Sequence, residues 1–282
     1  MSIDPAGRVA RSAVRPAYET SRNASMRTFL CTDDGVSIDS VYDPASVVYD
    51  GSRPPSRDLA FVLAHGFTGD VDRPHVRRVV AALAGYAPVV SFSFRGHGRS
   101  AGRTTVGDRE VLDLAAAVAW ARALGHPRVV TVGFSMGGSV VLRHAALNAG
   151  SAAGVDAVVS VSSPARWYYR GTAPMRRLHW LVTRPEGRLV GRYGFHTRIH
   201  HRDWDPVPLS PAEAVPKIAP TPLLIVHGDS DGYFPVDHPR MLADAAGGAA
   251  ELWLEPGMGH AEHAADDRLL ARIGDWAVAR AG

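Results

Sequence analysis

The sequence predicts an α/β protein built on an open, mostly parallel sheet with helices on both faces. Three observations lead there. From Leu59 onward, short apolar or β-branched runs alternate with segments of helical periodicity, at the spacing of strand–helix–strand crossovers. The runs Leu59-Ala60-Phe61-Val62-Leu63-Ala64 and Val129-Val130-Thr131-Val132 show little polar alternation, as strands covered on both faces should. His65-Gly66-Phe67, Ser135 and Asp231 each follow a predicted strand, on the edge where ligands bind in such sheets.

Residues 1–25 have few apolar anchors and two prolines. Arg8, Arg11, Arg15 and Arg22 fall at helical spacing, but Pro16 interrupts the pattern. A solvated or loosely docked N-terminal arm is expected. Residues 26–32 and 36–42 are strand-like and joined by Asp33-Asp34-Gly35, a hairpin signal. Residues 43–57, rich in Pro, Ser and Gly, read as a loop. After the Leu59 strand comes a helix over 73–85, then a strand over 87–93. Residues 108–124 carry apolar side chains at helical intervals and end at Gly125. A strand over 128–132 then runs into Gly133-Phe134-Ser135-Met136-Gly137-Gly138 and a helix to Leu147, followed by a strand over 155–161.

The rhythm breaks over 163–216. This stretch is aromatic and basic, with nine arginines against four acids, and its helical pieces are cut by Pro and Gly. It reads as a cap inserted into a core of residues 26–162 and 217–282. The sheet resumes over 222–227. A helix over 239–246, a strand over 251–254, a turn to Gly259 and a last helix over 265–279 complete the order.

Composition excludes several classes. Hydrophobic content of 46% and charged content of 21% over 282 residues are those of a globular protein. No apolar run reaches the length of a membrane span, so no integral membrane segment is expected. The first residues lack the apolar core of a secretory signal, and a cytoplasmic location is expected. Cys31 is the single cysteine, which excludes an intramolecular disulfide and a thiolate metal cluster; a buried thiol in the first strand is expected. The net charge of +3 is carried by arginine, Lys217 being the only lysine. No nucleic-acid-binding motif accompanies it, so nucleic acid is not an expected partner.

The Gly-x-Ser-x-Gly stretch suits a serine at a sharp strand-to-helix turn. Small residues two positions either side permit the bend, and the turn lifts the hydroxyl out of the sheet. A serine hydroxyl needs a base, and the base needs a partner to fix its tautomer. His260, in the glycine-rich turn Pro256-Gly257-Met258-Gly259-His260, is the base. Asp231, in His227-Gly228-Asp229-Ser230-Asp231, is the acid, with Asp229 as a rival that more naturally braces the turn. The backbone N–H groups of Met136 and Phe67 are the expected oxyanion donors. Phe67, Phe134, Trp167 and Tyr168 are expected to line the substrate pocket. His65 and His97 sit in tight turns and are expected to hold backbone. His179, His196, His200 and His201 lie in the cap without an acid or cysteine to complete a ligand spacing, so no metal is expected.

These residues resemble the α/β-hydrolase superfamily, in its serine esterase, lipase and monoacylglycerol-lipase-like branch. The likeness runs from Met26 to the C-terminus. It rests on His65-Gly66-Phe67, Gly96-His97-Gly98-Arg99-Ser100, the Ser135 motif, the Asp231 motif and Gly257-Met258-Gly259-His260, in that order. It implies an eight-stranded, mostly parallel sheet with a helical cap after the sixth strand. It also implies Ser135 as nucleophile, Asp231 as acid, His260 as base, and Phe67 and Met136 as oxyanion amides. The reaction implied is hydrolysis of a small-molecule acyl ester through an acyl-enzyme, with no cofactor. A thioesterase or acyltransferase would use the same groups, and a non-catalytic binding protein could share the fold. The cap arginines suit a substrate bearing a carboxylate or phosphate; otherwise they are a solvated face, or pair with Asp203, Asp205 and Glu213.

Overall fold

The computed structural model describes residues 24–46 and 55–281. The arginine-bearing stretch up to residue 23 and the middle of the 43–57 loop lie outside the described residues. Eight strands form one sheet: β1 (Met26–Cys31), β2 (Ser37–Asp43), β3 (Leu59–Ala64), β4 (Val89–Phe92), β5 (Arg128–Phe134), β6 (Ala157–Val161), β7 (Leu223–Gly228) and β8 (Ala250–Glu255). Their spatial order is β1-β2-β4-β3-β5-β6-β7-β8. The β1–β2 hairpin is antiparallel, and β2 runs antiparallel to β4; every other pairing is parallel. The expected eight-stranded, mostly parallel sheet is therefore the observed one.

Period-two alternation sorts the strand residues between two cores. Leu59, Phe61 and Leu63 of β3 and Val130, Val132 and Phe134 of β5 face one side. There they pack on α1 (Pro74–Ala84) and α9 (Asp267–Arg280) through Val76, Val79, Leu83, Leu270 and Ile273. Ala60, Val62 and Ala64 face the other side. They meet α2 (Glu110–Ala123) and α3 (Met136–Leu147) through Leu114, Val118, Val140 and Val141. The central strand β3 is thus apolar throughout because both its faces are covered.

The edge strand β1 departs from expectation. It is covered on one face only, its residues are exposed or half-buried, and Cys31 at its end is exposed rather than buried. The expected final helix is α9, and a short helix not expected from the sequence, α8 (Ala261–Ala264), precedes it. Helix α9 starts afresh because the Asp266 carboxylate accepts the Leu269 N–H at 2.7 Å, an N-cap that stops α8 from running on.

Between β6 and β7 the chain leaves the sheet. It forms α4 (Ala173–Thr183), α5 (Pro185–Gly194), α6 (Pro211–Ala214) and a single 3-10 turn (Val215–Lys217), before α7 (Asp237–Ala245) follows β7. Pro185 cannot continue α4, which breaks there at an extended Arg184. Residues 196–200 then return along the loop after β4. Arg198 N–H donates to the Gly96 carbonyl at 2.7 Å and His200 N–H to that of Thr104 at 2.9 Å, so this excursion is tied down by main-chain bonds.

The topology locates the site. Connections from β3 lead one way along the sheet and those from β5 the other, so the loops beyond these adjacent strands diverge. Gly66 follows β3, Ser135 follows β5, Asp231 follows β7 and His260 follows β8, all at the same edge.

Candidate active site

Ser135 joins β5 to α3 with φ 51° and ψ −112°, a conformation non-glycine residues rarely adopt. Its neighbours explain how the bend survives. A Cβ at Gly133 would strike the Gly137 carbonyl, and one at Gly137 the carbonyl of Ala64. The Ser135 N–H donates to the Val161 carbonyl at 2.9 Å, pinning the turn to β6. As the first residue of α3, Met136 has an amide without an intrahelical acceptor.

Three side chains from three loops meet in line. His260 Nδ1 lies 2.7 Å from Asp231 Oδ2, and His260 Nε2 lies 2.9 Å from Ser135 Oγ. An ionised carboxylate only accepts, so Nδ1 carries the proton and Nε2 is left to accept from the serine. The Asp231 side chain is fully buried. Burial by itself would raise its pKa. The hydrogen bond and charge of His260, with the Tyr233 and Phe234 amides on Oδ1 at 2.8 and 3.0 Å, outweigh this and hold it below the ordinary value. Asp229 points elsewhere: its Oδ1 accepts the Gly257 N–H at 2.7 Å and the Ser230 hydroxyl at 3.0 Å.

Several contributors were not read from the sequence. The Tyr233 ring stacks on His260 at 4.2 Å between centroids and Phe234 meets it edge-on at 5.7 Å, together fixing the imidazole. His227 Nε2 donates to the Phe234 carbonyl at 2.8 Å and so shapes the Asp231 loop from below. A signal existed: Asp231 followed by Gly-Tyr-Phe is an aspartate whose carboxylate can take the amides two and three residues on. Glu262 is buried beside the site and had no local signal.

Phe67 N–H and Met136 N–H donate no hydrogen bond among the described residues. The peptide before Phe67 is held rigidly. Phe94 N–H can only donate to His65 Nε2, at 3.0 Å, so His65 is the Nδ1–H tautomer and donates to the Gly66 carbonyl at 2.7 Å. Burial keeps that imidazole neutral, with its pKa pushed down to about 3. His97, also buried and lowered to about 4, holds the Arg95 carbonyl at 3.1 Å.

Two cavities meet at Ser135. One, of about 830 Å³, is lined by His260, Tyr233, Glu262, Arg73, Trp180 and Phe195, among others. The second, of about 400 Å³, is lined by Met136, Trp167, Tyr168, Trp204, Arg170 and Arg202, among others; Phe67 borders both. The indole N–H groups of Trp167 and Trp204 donate to the Pro208 and Thr105 carbonyls at 2.9 and 2.7 Å, which locks both rings. Phe134 lines neither cavity. As the last residue of β5 it points into the α1/α9 core, 1% exposed, so its expected place in the pocket is corrected. Of the nine arginines of the excursion, only Arg166 pairs with a carboxylate among the described residues, that of Asp237 at 2.9 Å. Asp203, Asp205 and Glu213 pair with none of them, which removes the pairing with these acids as an account of the basic charge and leaves the solvated face. No three His, Cys, Asp or Glu side chains among the described residues form a metal-ligand group.

Comparison with known proteins agrees with this architecture. A monoacylglycerol lipase of Mycolicibacterium smegmatis is 27% identical over 245 residues, covering 76% of this chain and 85% of that protein. The structure of the Pyrococcus furiosus esterase Pf2001 superposes with a TM-score of 0.67 at 22% identity, over 92% of this chain and 93% of that one. That of Est1E from Butyrivibrio proteoclasticus with ferulic acid bound gives 0.61 at 18% identity, over 90% and 98%. A family model described as the alpha/beta hydrolase family matches residues 61–273, and the chain belongs to that family.

Proposed function

We propose that the protein is a serine hydrolase that cleaves a carboxylic ester through an acyl-enzyme. The observation that carries this reading is the unbroken line Asp231–His260–Ser135, at 2.7 and 2.9 Å, next to two unpaired amides. Similarity to a protein named a monoacylglycerol lipase and to structures titled as esterases supports the same class.

In this mechanism Ser135 Oγ attacks the ester carbonyl carbon while its proton passes to His260 Nε2. Asp231, held ionised, keeps the imidazole in the competent tautomer and stabilises its cationic form. Phe67 and Met136 N–H groups donate to the oxygen that becomes negative, in a setting already ordered before reaction. The C–O bond to the leaving alcohol then breaks, and His260 returns the proton to that alcohol. Water, deprotonated by the same imidazole, attacks the acyl carbon and releases the acid. The leaving group must face His260, so the larger cavity receives it. The smaller aromatic cavity, which borders Met136 but not His260, receives the acyl group. The β6–β7 excursion, residues 163–216, acts as the cap that shapes both.

The test is labelling with a fluorophosphonate probe, followed by turnover of p-nitrophenyl esters of graded acyl length beside matching acyl thioesters. Labelling and ester turnover that both vanish in Ser135→Ala support the reading. A folded protein that takes no label refutes it, and turnover confined to thioesters refutes the ester assignment.

A further inference from the structure

Beside the nucleophile lies a buried carboxylate that this mechanism does not consume. Glu262 is two residues past His260, in α8, and only 4% exposed. Its Oε1 accepts the Gly66 N–H at 3.0 Å, a bond between residues 196 positions apart. Burying a carboxylate carries a large desolvation cost unless its partners are good. Gly66 makes the approach possible. A Cβ there would sit 3.1 and 3.2 Å from the two Glu262 oxygens and 3.5 Å from Ser135 Cβ. One absent methyl group is thus the width of the gap between this carboxylate and the nucleophile-bearing residue.

The bond falls on the loop that presents the Phe67 amide. Glu262 holds the peptide plane entering Gly66 through its N–H. The plane leaving Gly66 is held through its carbonyl, by His65 Nδ1–H at 2.7 Å and Gly69 N–H at 3.0 Å. In a trans peptide the next N–H points opposite to that carbonyl, so the direction of Phe67 N–H is set by these restraints together. An oxyanion donor is effective to the extent that it need not reorganise when charge develops.

We infer that Glu262 is a positioning residue of the reaction: as acceptor for the Gly66 N–H, it locks the loop that aims Phe67 N–H at the oxyanion. The inference rests on the esterase reading of the site. An acceptor is what the task requires, not a charge, since a carboxylate near a developing oxyanion opposes it electrostatically. His75 is a titratable neighbour of the carboxylate, with Nε2 3.9 Å from Glu262 Oε1 and its ring 3.8 Å from that of His263.

The experiment compares Glu262→Gln, which keeps an acceptor, with Glu262→Met, which has similar size and none. The readouts are kcat and KM on p-nitrophenyl acetate and the affinity of a trifluoromethyl ketone, whose Ser135 adduct places an alkoxide at the oxyanion position. Glu262→Met should lower kcat at least tenfold with KM within twofold, and weaken the ketone by the same factor as kcat. Glu262→Gln should stay within threefold of the parent on every measure. Full kcat in folded Glu262→Met overturns the inference, as does a Glu262→Gln variant as impaired as Glu262→Met. If Glu262→Met does not fold, Glu262→Asp, whose carboxyl stops one methylene short of Gly66, must show the same kcat-only loss, and parental kcat in it overturns the inference. A parent protein without fluorophosphonate-sensitive ester turnover refutes the function instead; an active parent indifferent to Glu262→Met refutes only the positioning role.

Discussion

Acid should begin to destabilise this protein just below pH 6.5, where unperturbed histidines titrate and ordinary carboxylates do not. His65, His97 and His144 are each no more than 1% exposed. Burial lowers their pKa values to about 3, 4 and 4, and His144, on α3, has no hydrogen-bond partner at either ring nitrogen. In the unfolded chain each returns to about 6.5. A depressed folded value means the stabilising contribution is fully present above 6.5 and is lost as pH falls toward the folded value, because only the unfolded state binds the proton. Each histidine therefore approaches a loss of about 1.4 kcal/mol per pH unit, or about 2 kcal/mol by pH 5. Asp113 acts in the opposite direction. Burial, opposed by Arg95, lifts its carboxyl to about 7, so the native state takes up a proton there. It offsets about 2 kcal/mol of the loss by pH 5. These four groups alone give a net loss of about 4 kcal/mol, a large share of the 5–15 kcal/mol typical of a domain, and His238, buried and lowered to about 4, adds to it in the same direction. Urea unfolding followed by far-UV circular dichroism at pH 7.5, 6.5, 5.5 and 5.0 measures the slope directly. His144→Leu should flatten it by about 1.4 kcal/mol per pH unit. Stability constant from pH 7.5 to 5, or an unchanged slope in His144→Leu, would refute the reasoning.

Three further outcomes can be checked. Asp231→Asn should reduce kcat by about 10³–10⁴-fold, whereas Asp229→Asn should change it less than about tenfold; steady-state ester hydrolysis decides, and equal effects would reverse the choice of acid. Gly137→Ala, which drives a methyl group into the Ala64 carbonyl, should cost about 3 kcal/mol or more and lower Tm by many degrees in calorimetry. Trp204→Ala should enlarge the smaller cavity and move the preferred acyl length upward in a p-nitrophenyl ester series, while an unchanged optimum would place the acyl group elsewhere.

The strand rhythm was readable because each buried strand advertises itself as an apolar run, and the loops bearing Ser135, Asp231 and His260 follow those runs directly. Phe134 was misplaced by strand length. With β5 ending at Val132 it falls in the turn, whereas two more residues of strand put it in register with Val130 and Val132, inside the core. Cys31 went wrong because sequence does not say which strand lies at the edge. Glu262 stayed invisible for another reason: in a short polar segment a glutamate reads as surface, and its partner Gly66 lies far away in the chain. The break in rhythm over 163–216 is legible from composition alone, since the helices there are short and the anchors are main-chain bonds to residues 96–104.

The two unpaired amides carry a consequence for genetics. Both oxyanion donors of the proposed mechanism are main-chain atoms, so no substitution short of proline removes either one. Proline aside, a saturation scan would score positions 67 and 136 by the shape of their side chains and register nothing of the amides proposed to stabilise charge. The scan's losses would fall instead on the residues that hold those amides in place: Gly133 and Gly137 around the serine, and His65 beneath the loop. A mutational map of this protein would outline the oxyanion site by its supports, with a silent centre.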